Sequence, residues 1–122
     1  MNLIIECLLV GIYTSLFSIL LFFKININIQ LFIIGFLKHY LGYYIGIHDY
    51  YCSNKGKTKA IKTKLIEDSI YEGICFILLG KTIIVLFKQN YIISLFITGF
   101  LFNLISEYIY LHKYFYDNRC IL

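Results

Sequence analysis

Four long apolar runs fill most of this chain, and their length limits what it can become more than any other feature. They cover about residues 2–23, 29–47, 69–87 and 91–113. Each is near the ~20 residues that carry an α-helix across a hydrocarbon layer of ~30 Å. A backbone in lipid must satisfy its own hydrogen bonds, so helix is the default conformation of such runs. Charged residues make up 15% of the chain, well under the ~25% of an ordinary soluble domain. The expectation is therefore an all-α bundle of four transmembrane helices, a single integral membrane domain over residues 1–122. The alternation Ile25-Asn26-Ile27-Asn28-Ile29 has the period of a strand, but between two spans it reads more simply as a tight surface hairpin. The first run lacks a basic leader and a small-residue cleavage site, so it reads as a span and not as a cleaved signal.

Four spans return both chain ends to one side, together with the connection over residues 48–68. That side carries Lys55, Lys57, Lys59, Lys62 and Lys64, with Lys113 and Arg119, whereas the other has only Lys24 and Lys88 in very short turns. Positive charge favours the cytoplasmic face, so the expected protein is multi-pass with N and C termini in the cytoplasm. The five loop lysines also suit anionic lipid headgroups, each gaining about 1 kcal/mol near such a surface. Nucleic acid is not an expected partner, because the run lacks arginine and interleaved aromatics.

Ionisable groups inside spans are expensive and call for partners. Lys38 and His39 lie mid-span in the second run. His39 shares a helical face with Gly35, Gly42 and Gly46, small residues that let another helix approach closely. Lys38 must then pair with a carboxylate or reach outward. Glu107 stacks with Gly99 and Asn103, and a buried layer of Glu6, His39, Glu72 and Glu107 is expected to be geometrically accessible. Each member has a plainer reading too. Ser69-Ile70-Tyr71-Glu72 has the form of a capping box. Glu6 suits the first turns of a helix, and Glu107 can pair with His112 or Lys113. His39 could simply make an interhelical hydrogen bond.

Sliding the chain by 68 residues brings Cys7 onto Cys75 and Cys52 onto Cys120, which suggests two parallel two-helix repeats. Asp49-Tyr50-Tyr51-Cys52 and Asp117-Asn118-Arg119-Cys120 then match as D-x-x-C. Cys52, Cys120, His48, His112, Asp49 and Asp117 are expected on the lysine-rich side, and thiolate, imidazole and carboxylate are the ligands zinc prefers. Two free thiols are the default in a reducing cytoplasm, with a zinc site or a disulfide as alternatives. No other cofactor is indicated.

The segment Gly35-Phe36-Leu37-Lys38-His39-Tyr40-Leu41-Gly42-Tyr43-Tyr44-Ile45-Gly46-Ile47-His48-Asp49-Tyr50-Tyr51-Cys52 resembles small multi-span membrane proteins of nucleocytoplasmic large DNA viruses. The abundance of isoleucine, lysine, asparagine, tyrosine and phenylalanine, all residues of AT-rich codons, agrees. The likeness implies a viral protein of the virion's internal membrane that bridges lipid to the capsid shell. The leading functional expectation is a membrane scaffold or interaction protein, packed as a bundle or a homo-oligomer or against another membrane protein. A small proton- or cation-coupled transporter or channel using His39 and Glu107 is the alternative. No nucleophile and base can be paired, so an enzyme is not the expectation.

Overall fold

The computed structural model describes residues 3–20, 26–88 and 90–121. It is all-helical apart from one two-residue ladder. The order is α1 (Leu3–Leu20), α2 (Ile27–Tyr44), α3 (Ile47–Asn54), β1 (Lys59–Ala60), α4 (Leu65–Phe87), α5 (Tyr91–Tyr108), α6 (Leu111–Arg119) and β2 (Cys120–Ile121). The long helices pack as two pairs, α1 on α5 and α2 on α4, with α4 also touching α5. Phe17, Leu31, Ile34, Phe76 and Leu95 form the core between them.

The chain builds the same unit twice. Asn26 and Asn90 cap α2 and α5 with side chains that accept from Asn28 N and Ile92 N, at 2.8 and 2.9 Å. Asparagine oxygen satisfies one of the amides that a helix start leaves open. Both helices run 18 residues, with Ile45 and Ile109 as their C-caps. A left-handed residue, Gly46 at φ 89° or Tyr110 at φ 66°, then turns the chain into a short helix. Leu31-Phe32-Ile33-Ile34-Gly35-Phe36-Leu37 corresponds to Leu95-Phe96-Ile97-Thr98-Gly99-Phe100-Leu101, a single difference in seven positions. These correspondences all carry a shift of 64 residues, as from Asn26 to Asn90. The packing repeats as well. A Cβ on Gly11 would lie 2.9 Å from the Phe96 carbonyl oxygen, and one on Gly73 would lie 2.9 Å from that of Phe32. Gly11 and Gly73 thus match at a shift of 62, and the α1–α5 and α4–α2 pairs correspond as if by a pseudo-two-fold axis.

The structure corrects several expected boundaries and contacts. The second run ends as a helix at Tyr44 and the fourth at Tyr108, because Gly46 and Tyr110 reverse the backbone. The lysine-bearing connection holds α3 and β1, so it is partly structured. Helix α4 begins at Leu65, which places Ser69 inside it with its hydroxyl donating to Leu65 O at 2.7 Å. The capping box is therefore absent. The shift of 68 does not describe the repeat. Gly35 does pack against α4, yet Gly42 faces the His48 ring, and Gly46 serves the turn with nothing near its Cβ position. Lys24 and Ile25 of the expected hairpin lie outside the described residues.

Two stretches, Leu65–Leu86 and Tyr91–Tyr108, are long and apolar enough to cross a membrane. In α1 the apolar helix over Leu3–Phe17 is shorter, and α2 is diluted by Asn28, Gln30, Lys38 and His39.

Candidate functional site

The short helices and the ladder form a cap over one end of the bundle. Ala60 pairs with Cys120 and Lys59 with Ile121. Cys52 and Cys120 are joined by a disulfide with a Cα separation of 5.5 Å. This replaces the expected free thiols. It also removes both thiolates from the expected zinc set, since a disulfide sulfur carries no ligand charge. The other members of that set are apart: Asp49 Oδ1 accepts from Ala60 N at 2.8 Å, His112 bonds Glu107 at 2.8 Å, and Asp117 is exposed. Among the described residues no three His, Cys, Asp or Glu side chains come together to hold a metal. Cys7 is buried and Cys75 half-buried, both as free thiols.

Arg119 locks the cap to the bundle. Its Nε and NH2 group donate to the two Asp68 oxygens at 2.7 and 3.2 Å, a bidentate fork that raises the guanidinium pKa further. Lys57 Nζ donates to Tyr116 O at 3.0 Å and to Cys120 O at 3.4 Å. Lys62 lies over the Tyr44 ring at 5.2 Å, and Lys64 pairs with Glu67 at 3.4 Å. Lys55, Lys59, Lys62 and Lys64 remain exposed on the outer surface.

Beneath the cap lies a cavity of about 540 Å³ with contributions from all six helices. On one wall Glu72 receives Lys38 Nζ on Oε1 and faces His39 Nδ1 across 2.7 Å on Oε2. Glu72 is buried and the side chains of Lys38 and His39 are 11% and 14% exposed. Lys38 therefore takes the carboxylate alternative. Its ammonium also lies 5.6 and 5.3 Å from the ring centres of Phe76 and Phe102. The Tyr13 hydroxyl donates to Lys38 O at 3.0 Å. The His39 and His48 rings sit 4.6 Å apart. Burial, then the neighbouring His39 charge, lowers the His48 pKa to about 4, so this imidazole is neutral at physiological pH.

Glu107 is not part of the buried layer. It is exposed and turned toward His112 on the bundle's flank, because α5 ends one residue later. Glu6 does line the cavity, with Asn103 Nδ2 at 3.5 Å.

The cavity is lined by both halves of the repeat. Its walls carry equivalent positions from each half: His39 with Asn103, Gly42 with Ser106, His48 with His112, and Tyr51 with Phe115. The same holds for Glu6 with Asp68, Val10 with Glu72, and Lys55 with Arg119. The repeat of Leu31–Leu37 in Leu95–Leu101 was the signal in the sequence that could have found this correspondence. Shape is thus shared between the halves, while charge is not. One wall holds Lys38, His39 and Glu72 where the other holds Phe102, Asn103 and Val10. No known protein family, curated protein or solved structure matches the chain.

Proposed function

We propose that this chain is a four-pass integral membrane scaffold whose basic cap rests on anionic lipid headgroups, with both chain ends on the capped side. The observation that carries the reading is the pattern of its exposed surface. Ile5, Leu9, Ile12, Leu16 and Ile19 form an exposed stripe along α1, and Ile70, Ile74, Leu78 and Val85 do the same on α4. Apolar stripes of that length suit lipid and not water. At the capped end Tyr44, Tyr50, Tyr71, Tyr108, Tyr110 and Tyr114 join exposed aliphatic residues such as Ile45, Ile66 and Ile109. Tyrosine is enriched where a membrane meets water, because its ring is apolar and its hydroxyl polar. The exposed lysines stand just beyond this belt, where anionic headgroups would lie. Paired charges inside the bundle suit a static role, since Glu72 already pairs with Lys38 and with His39 Nδ1.

Alkaline extraction of membranes expressing the chain should leave it in the pellet, and protease should reach both ends from the same side. Release into the supernatant, or ends reached from opposite sides, overturns the reading. Replacing the five loop lysines with glutamine should reduce retention of phosphatidylserine through purification.

A second reading, a small cation-coupled transporter, draws on the cavity and its His39–Glu72 contact. Glu107 has no place in it. Proteoliposomes would then show a pH-dependent flux that His39→Ala abolishes, and absence of flux from the parent chain removes this reading.

A further inference from the structure

We propose that the cavity under the cap binds a small organic cation, a protonated amine on an apolar body, with Glu6 as its counter-charge. The two halves of the repeat place charged residues at matching points of the cavity wall. Asp68 on α4 and Glu6 on α1 occupy equivalent positions, and so do Arg119 and Lys55. In one half the carboxylate and the cation meet: Arg119 donates twice to Asp68. In the other they do not. Lys55 Nζ lies 5.8 Å from the centre of the Tyr51 ring, and Glu6 has only the Asn103 amide, at 3.5 Å. Among the described residues Glu6 is the one lining carboxylate with no cationic partner, since Glu72 holds Lys38 and Asp68 holds Arg119.

The repeat thus supplies a template for the missing group. Where Arg119 fills the site on one side, a ligand nitrogen can fill it on the other. The remaining lining selects the ligand's body. Val10, Tyr13, Tyr51, Phe102 and Phe115 offer apolar and aromatic surface, which favours a hydrocarbon chain or ring and attracts a cation through the ring faces. A volume of about 540 Å³ falls within the range of small-molecule pockets. A free anion fits less well, because among the described lining residues the two cations that are mostly buried, Lys38 and Arg119, already hold carboxylates.

The test uses the full chain, purified in detergent with its disulfide intact, and 4-phenylbutylamine against its neutral analogue 4-phenylbutanol. Equilibrium dialysis should show the amine binding at least about tenfold more tightly than the alcohol, as expected of a charge-assisted contact. Glu6→Gln should erase that preference and leave the alcohol unchanged. Lys55→Ala, at an exposed position outside the core, should strengthen amine binding or leave it unaltered. Glu107→Gln, outside the cavity, should change neither ligand. Equal affinity for amine and alcohol in the parent chain overturns the proposal, as does an amine preference that survives Glu6→Gln. If Glu6→Gln fails to fold, weakened amine binding in Lys55→Ala overturns it instead.

Discussion

Replacing Glu72 by glutamine should destabilise the bundle by about 3 kcal/mol, because the change strands a buried ammonium. The Glu72 side chain is 8% exposed and that of Lys38 11%, so neither reaches bulk water. Removing one member of a buried ion pair typically costs about 3–5 kcal/mol, most of it the penalty of the charge left behind. Two features place this case at the low end. The Phe76 and Phe102 rings stay within 6 Å of Lys38 Nζ, and cation–π contacts of that kind retain about 1 kcal/mol each. The glutamine oxygen can also still accept one hydrogen bond. The double variant Lys38→Met/Glu72→Leu removes both charges and should lie within about 1 kcal/mol of the parent, since apolar replacement of a buried pair is often neutral. Reversible unfolding in mixed micelles, followed by circular dichroism, measures all three proteins. The reasoning fails if Glu72→Gln is as stable as the parent, or if the double variant loses as much stability as Glu72→Gln.

Tyr110→Gly should stabilise the fold by about 1 kcal/mol in the same assay, because Tyr110 holds φ 66° with its side chain 71% exposed and glycine takes that conformation without a Cβ penalty. Unchanged or lower stability would show that the turn carries no strain. Acidification should weaken the fold through His48, whose pKa falls from 6.5 to about 4 on burial. With the folded value below the unfolded one, this contribution is complete above pH 6.5. It is lost as pH falls toward 4, up to about 3 kcal/mol. The stability–pH curve of His48→Gln should be flatter in that window, and coincident curves would remove His48 as the cause.

Hydrophobic length revealed where the helices are, and the structure moves their ends for local reasons. Gly46 was legible as a small residue, but its role in a left-handed turn depends on the backbone reversal into α3. Ser69 and Glu72 had the spacing of a cap, yet α4 extends one turn further back, so the same spacing instead points Glu72 at Lys38 and His39. The need for a carboxylate beside Lys38 followed from burial cost alone; its identity required the α2–α4 contact. The repeat was hidden by its own irregularity. The first helices of the two halves match at a shift of 62 and the second helices at 64, so one overlay of the whole chain cannot show both. Cysteine pairing drew the eye to 68, the separation of Cys52 and Cys120. Those residues are partners in a bond and not equivalents in a repeat.

The disulfide and the lysines also set two ordinary rules against each other, and the order of events reconciles them. Lysines favour a cytoplasmic cap, whereas disulfides persist in oxidising compartments. Orientation is chosen as each span enters the membrane. Cys52 and Cys120, 68 residues apart, can meet only after α4 and α5 are in place, so the bond cannot dictate the orientation proposed above. In a reducing compartment its survival depends on access. Cys52 is 0% exposed and Cys120 5%, which denies an attacking thiolate its approach to either sulfur. Cross-linking a loop of this length restricts the unfolded chain by about 4 kcal/mol on the loop-entropy estimate, an upper bound where helices persist in the unfolded chain and already restrict it. Glutathione should therefore reduce the native protein slowly and the micelle-unfolded protein fast, read by thiol alkylation and mass spectrometry. Once the bond is reduced, unfolding should occur at a lower denaturant fraction while the α2–α4 contact persists, since the Lys38–Glu72 pair is made between α2 and α4 alone. Rapid reduction of the folded chain would mean that burial does not protect the bond, and the lysine-bearing face would then have to lie in the oxidising compartment.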